Sequence, residues 1–449
     1  MTKGNYSGAI TISEGEGFSR TLDLSSGGNQ LYSMRWTQAS FEQALRASEQ
    51  QVVQHYLNQG YRPSRQMRSR GGDTPPESFR FYKAMGEDGF GNPIIRTGNA
   101  KLVKHDAQYC YIYVDENKII NVEDINDLAE AFDIYYNTMI TCFGSVAMDI
   151  DGYSKVFLLL TDLYYEEGVG GVLGYFWGVN EYPRDPINNP YSNEKEILFL
   201  TSVGYEEKDW FEVIKSTAAH EFQHMINFTN RAPRIGSSFD LYQYSSETFI
   251  NEGLSMVAED IAIAGFGKHN TLLDEERVIP YLLNPAANSL CTWENTVDDY
   301  NPAYMFMRYS VDRIGEDSIK RIIQSPRFGV DSLLDAADEA SFLYLLRDWL
   351  AAVYLDSMGK SIAGLEYKTL DLSDSDINEL ATEDFTSHMD INLPDTSGKF
   401  LNYTPDSGAT QITIKVSGDD RFKLRILMFP EEGSYENISR SGLRIMKMR

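Results

Sequence analysis

The chain has 449 residues, 42% of them hydrophobic, with 66 acidic against 40 basic side chains and a net charge of -26. That length allows two or three domains with real cores. The acidic balance argues against nucleic acid, whose phosphates need clustered Lys and Arg, and against anionic membrane surfaces.

From the N-terminus, "GAITISEGEGFSRTLDLSSGGNQLYSMRW" alternates and reads as short strands joined by Gly/Ser turns. "SFEQALRASEQQVVQHYLNQG" then carries Phe41, Ala44, Leu45, Val52, Val53 and Leu57 at helical spacing, with Gly60 as its C-cap. "RPSRQMRSRGGDTPP" breaks all periodicity and reads as a solvated linker despite its arginines. "AQYCYIYVD" reads as a buried strand and "VEDINDLAEAFDIYYNTMITCFG" as an amphipathic helix. "KVFLLLTDLY", "GVLGYFWGVN" and "EILFLTSV" read as further strands. Mainly helical sequence follows Glu252, including "NPAYMFMRYSVDRIG", "DSLLDAADEA" and "SFLYLLRDWLAAVYLDSMG". From about residue 365 an acidic, turn-rich stretch leads to the strands "TQITIKVSG" and "RFKLRILMF". A sheet followed by helices is the α+β pattern.

Three cysteines, Cys110, Cys142 and Cys291, lie far apart without a CxxC, which excludes a disulfide scaffold and a cysteine-rich zinc site. One disulfide with a free thiol stays open; buried reduced thiols fit Cys110 and Cys142 better, since both sit in apolar segments. No run of about 18 apolar residues is present, so no transmembrane helix is expected. The opening "MTKGNYSGAITIS" lacks the apolar region of a signal peptide.

The sharpest feature is "TAAHEFQHMINF", which spells HExxH with His220, Glu221 and His224. In a helix, residues four apart share a face, so two imidazoles converge on one ion. Glu221 is rotated about 100° from His220 and can reach a water there without being a ligand. Two neutral imidazoles and an adjacent base suit a zinc hydrolase. With six histidines in the chain, chance alone yields such a pattern on the order of once in a hundred proteins, so a second observation is needed.

"SSETFINEGLSMVAED" supplies it, as an amphipathic helix with 27 residues separating His224 from Glu252. Glu252 as a third ligand leaves a fourth tetrahedral position for water. Glu259 stands seven residues on, about 20° short of two turns, and shares the Glu252 face. Burying two carboxylates there is costly unless a cation or hydrogen-bond partner receives each. A metal for Glu252 and a ligand imidazole N–H for Glu259 would serve. Tyr300 or Tyr304 in "DDYNPAYMFMRY" could donate to a developing oxyanion. "MDIDGYSK", with Asp149 and Asp151, makes a calcium site conceivable, although an Asx turn explains it better. "EGVGGVLGY" lacks the Lys-Ser/Thr of a P-loop and reads as a loop leading into an edge strand near the cleft, where an extended peptide could lie. His55, His105 and His269 receive no role.

HExxH followed by NEG-x-[AS]-xxx-E resembles the gluzincin metallopeptidases. "AHEFQHMINF", "FINEGLSMVAED" and the upstream run from "YIYVDENK" to "GYFWGVN" look most like bacterial neutral metallopeptidases of the hyicolysin (M30) type, over about residues 100 to 355. The resemblance implies zinc held by His220, His224 and Glu252, Glu221 as catalytic base, Glu259 bracing a ligand, and Tyr300 at the oxyanion. No GAMEN-type motif is present, which favours an endopeptidase. The spacer to Glu252 is long, and Met256 stands where the thermolysin-like pattern expects an acid.

The expectation is therefore an α+β chain with a zincin-like catalytic domain at 93–362, a mixed sheet with helices and then a helical subdomain. A β-rich region with one helix and a linker at 1–92 and a β-rich domain at 363–449 flank it. The expected function is a zinc endopeptidase acting on peptide or protein substrates, with calcium only weakly supported and no nucleic-acid partner. An aminopeptidase, or a surface binding protein with an inert zincin fold, are the alternatives. A secreted or surface location in a bacterium, with the signal segment absent from this chain, is expected, the cytoplasm being the alternative. Oligomeric state is not fixed by the sequence.

Overall fold

The computed structural model describes residues 6–14, 38–61, 74–87, 92–146, 150–166, 170–203, 210–234, 241–294, 296–339, 341–374, 377, 380–385, 388–404, 412–418 and 427. Asp149, most of the arginine-rich linker, the strands expected between 15 and 36, and most of "RFKLRILMF" lie outside the described residues.

In chain order, strand β1 (Tyr6–Glu14) and helix α1 (Gln38–Asn58) precede β2 (Ser78–Glu87), β3 (Pro93–Lys104) and β4 (Cys110–Asp115). Helix α2 (Val122–Phe143) leads to β5 (Val156–Thr161), the small antiparallel pair β6 (Tyr165–Glu166) and β7 (Gly170–Gly171), then β8 (Gly174–Phe176) and β9 (Ile197–Thr201). Six strands form the central sheet in the order β2-β3-β4-β5-β9-β8. The β4-β5 and β5-β9 pairs are parallel, and the outer pairs are antiparallel. The sheet is therefore mixed, and β8 is an edge.

Alternation divides β4, β5 and β9 between two apolar layers. Ile112, Val114, Leu158, Leu160, Leu198 and Leu200 face one core with α2 and the later helices. Tyr111, Tyr113, Phe157, Leu159, Ile197 and Phe199 face the other, which α1 covers with Phe41, Leu45, Val52 and Val53. Strands buried on both faces read as continuous apolar runs, which is how "FLLL" and "ILFL" appear in the sequence. Aromatic stacking fills the α1 side, with Tyr113 and Phe157 centroids 5.3 Å apart and Tyr175 and Phe199 4.6 Å apart.

Helices α3 (Trp210–Arg231) and α4 (Leu241–Ala264) follow. Glu212 in the first turn of α3 and Arg231 in its last complement the helix dipole. Short α5 (Thr271–Leu273) and α6 (Ile279–Leu283) flank one π-helical turn, Asp274–Val278. Helix α7 (Tyr300–Ile314) is buried from Tyr300 to Asp312; α8 (Asp317–Gln324) and α10 (Phe342–Ser357) pack on it, and α9 (Val330–Ala337) packs on α8 and α4. In the C-terminal part, β10 (Glu383–Asp384) pairs with β12 (Leu401–Asn402), while β11 (His388–Leu393) and β13 (Ile412–Gly418) both pair with β1. Strand β1 thus shares one small sheet with two strands from the C-terminal part of the described residues.

The expected domain boundary at 92/93 falls between β2 and β3, which are antiparallel neighbours. The strand expected in "GVLGYFWGVN" stops after three residues, and Gly178–Glu181 form a 3₁₀ turn. All three cysteines are free thiols, Cys110 and Cys291 buried and Cys142 half-buried.

Candidate metal centre

Helix α3 enters the core with Ile214, Ala218, Phe222, Met225 and Ile226 fully buried. Phe222 packs on Phe132 and Tyr136 of α2, with centroids 5.0 and 5.2 Å apart. That apolar face sets the rotation of the helix, and the adjacent face then presents His220 and His224. Glu252 approaches from α4. Gly253 beside it allows that approach: a Cβ there would lie 2.5 Å from Met307 Cγ and 2.7 Å from the Ala303 carbonyl oxygen of α7.

His220, His224 and Glu252 are all buried, and their ligand atoms lie within 4.8 Å of one another. Glu252 Oε2 is 3.4 Å from Nε2 of each histidine. This is long for a hydrogen bond. It matches the edge of about 3.3 Å expected between tetrahedral ligands whose metal bonds are about 2.0–2.1 Å. Glu252 Oε2 is buried and makes no hydrogen bond, a costly state unless a cation receives the oxygen. The three residues fit a zinc-type ion.

Neighbouring side chains hold the imidazoles. Glu259 Oε1 is 2.8 Å from His220 Nδ1, and its Oε2 accepts from Ser216 Oγ at 2.5 Å. Both histidines therefore turn Nε2 inward. Ser255 Oγ lies 3.2 Å from His224 Nδ1 and donates to Gln223 Oε1 at 2.6 Å. Burial would raise the Glu252 carboxyl, but the His224 and His220 imidazoles outweigh it and hold it well below the usual carboxylate range. Burial would lower His220, but its contacts with Glu252 and Glu259 hold it well above its ordinary value.

Glu221 is fully buried, and one carboxylate oxygen accepts the Phe176 N–H at 2.8 Å. The other oxygen is buried without a hydrogen bond. Burial, offset in part by His220 and Arg46, pushes this carboxyl up to about 7. Gly174 lets β8 lie against the helix at this point: a Cβ there would meet Thr217 Cγ2 at 2.6 Å and Glu221 Cγ at 3.2 Å. A cavity of about 110 Å³ opens beside His224 and Glu252, with Arg46 and Glu49 of α1 and Asn227 and Asn251 in its wall. Asn227 Nδ2 donates to Asn251 Oδ1 at 2.7 Å.

Tyr300 begins α7, buried, with its ring edge-on to Trp293 at 5.0 Å and the Arg277 guanidinium 5.4 Å from its centroid. At the 3₁₀ turn Val297–Asp299 that leads into this helix, Asp299 Oδ2 accepts the Glu294 and Thr296 N–H groups, both at 2.9 Å. Tyr304 is fully buried, and its hydroxyl donates to Asp260 Oδ2 at 2.7 Å, which gives it a structural partner. Asp151 accepts the Tyr153 N–H at 2.8 Å in an Asx turn, and Lys195 lies 3.9 Å away. His269 is half-exposed and pairs with Asp274 at 2.5 Å.

Several residues at the site carry no sequence signal strong enough to find them. Ser216 lies one turn before His220 and Ser255 one turn after Glu252, positions a helical wheel would place nearby. The Phe176 amide is a backbone group, and no side-chain pattern marks it.

Comparison with known proteins points to the same part of the chain. Residues 135–301 match the family model described as Peptidase M30. The "Neutral metalloprotease ShpI" of Staphylococcus hyicus is 24% identical over 251 residues, covering 53% of this chain and 53% of that protein. The chain thus spans about half the length of this curated relative. Both comparisons bear out the resemblance read from the motifs: the segment that carries His220, His224 and Glu252 is similar to M30 metallopeptidases.

Proposed function

We propose that the protein is a zinc-dependent endopeptidase with a zincin-like catalytic fold. His220, His224 and Glu252 would hold the metal, Glu259 would brace His220, and Glu221 would be the general base. The observation that carries this reading is the buried cluster of two imidazoles and one carboxylate, with a second, fully buried carboxylate, Glu221, next to His220 in the chain. Bound zinc supplies Lewis acidity, which polarises a carbonyl and makes water acidic near neutral pH.

Glu221, raised toward 7 by burial, has the proton affinity of a base that works near neutral pH. It takes the proton of the attacking water and returns it to the leaving amine. Tyr300 is the proposed oxyanion donor, since the Tyr304 hydroxyl is engaged by Asp260. The Phe176 N–H and carbonyl and the Gly178 N–H are engaged by side chains. A peptide added to the β8 edge would therefore lie on the N-terminal side of Phe176.

The test is Glu221→Gln. The variant should keep its zinc and lose at least about a hundredfold in kcat on internal bonds of N-terminally blocked peptides. Full activity in the variant refutes the base assignment. Cleavage by the wild type of free but not blocked peptides would favour an aminopeptidase.

A further inference from the structure

Three outward-facing backbone groups at the end of β8 are held by side chains from widely separated parts of the chain. The Phe176 N–H donates to Glu221 at 2.8 Å, the Phe176 carbonyl accepts from Arg46 Nη2 at 2.9 Å, and the Gly178 N–H donates to Glu49 Oε1 at 2.6 Å. Arg46 and Glu49 are themselves paired, with Nη1 2.6 and 2.8 Å from the two carboxylate oxygens. Trp177 between them is extended, at φ -129° and ψ 103°. The Phe176 carbonyl and Gly178 N–H therefore point the same way. They are the two groups that one residue of a parallel strand would bond.

The ion pair on α1 thus stands in for a neighbouring strand. Ser48 adds a third tie from the same helix, accepting from Trp177 Nε1 at 2.9 Å. Both charged side chains are largely buried, 14% and 5% exposed. A buried pair of this kind recovers little net stability against its desolvation, so its geometry is the more informative property. Only Arg46 reaches the residue whose amide holds Glu221.

We propose that Arg46 is a positioning residue for the base: by fixing the Phe176 carbonyl, it orients the Phe176 amide that holds the Glu221 carboxylate. This rests on the reading of Glu221 as the base. Catalytic groups must be held within fractions of an ångström, and displacements of about 1 Å caused by a remote change can cost about a hundredfold in rate. The clamp is supplied by a helix outside residues 135–301, the segment that matches the peptidase family.

The test compares the full-length wild type with Arg46→Lys and with the double variant Arg46→Met/Glu49→Gln. The double change removes the donor to Phe176 without stranding a buried charge. In the double variant kcat should fall by about 10- to 100-fold, while KM, zinc content and melting temperature stay close to wild type. Hydrogen exchange at the Phe176 amide should speed up at least about tenfold, since a held amide is released. Arg46→Lys, which still donates a hydrogen bond, should recover most of kcat. Unchanged kcat overturns the proposal, as does a joint loss of kcat, KM and melting temperature that Lys does not rescue. If the wild type cleaves no peptide, the peptidase reading fails separately; unchanged exchange at Phe176 then overturns the clamp as well.

Discussion

At the scale of single residues, the site is an arrangement of carboxylates that burial alone would not tolerate. Glu221, Glu252 and Glu259 stand around His220 and His224, and only Glu259 has both oxygens in hydrogen bonds from side chains. Glu259→Gln should weaken zinc affinity by about 10- to 100-fold, because an anionic acceptor on Nδ1 raises the basicity of the coordinating nitrogen. Competition with a chelator measures this, and equal affinity would show that Glu259 has no part in metal binding. HExxH, NEG and the seven-residue spacing to Glu259 were legible because helix periodicity alone decides which side chains share a face. Tyr300 and Tyr304 were not separable that way. The Tyr304 partner, Asp260, lies on another helix, and no local pattern announces that contact.

At the scale of elements, the distance between α4 and α7 matters as much as any ligand. Gly253 follows Glu252 directly, and the Ala303 carbonyl is backbone that cannot swing aside. Gly253→Ala would gain about 1 kcal/mol of helix propensity. It should still destabilise the protein by about 1–3 kcal/mol through overpacking, and weaken metal binding because Glu252 moves with the helix. Chemical denaturation measures the first effect; a more stable variant would contradict this account of the packing. Strands β4, β5 and β9 and helices α2, α3, α4 and α7 follow from their hydrophobic periods. The end of β8 does not. Its mostly apolar sequence continues past Phe176, but Arg46 and Glu49 occupy the backbone groups that a longer strand would offer to a neighbour. Arg46 is 130 residues away in the chain, beyond the reach of any periodicity argument.

At the scale of the whole molecule, two apolar layers enclose a mixed sheet, and α3, which carries the histidines, packs against the edge strand β8. Helix α1 belongs to this arrangement through its contacts with Phe176, Trp177 and Gly178. The net charge of -26 keeps the surface acidic while the centre gathers its own carboxylates around two imidazoles. A cation at the centre would relieve that buried charge, and its binding would stabilise the folded chain. The most direct test of the account is the zinc content of the purified protein after dialysis, measured beside His224→Ala and Glu252→Ala. The account predicts about one zinc per wild-type chain and close to none in either variant. Wild-type protein that takes up no zinc, or variants that retain it undiminished, would contradict it.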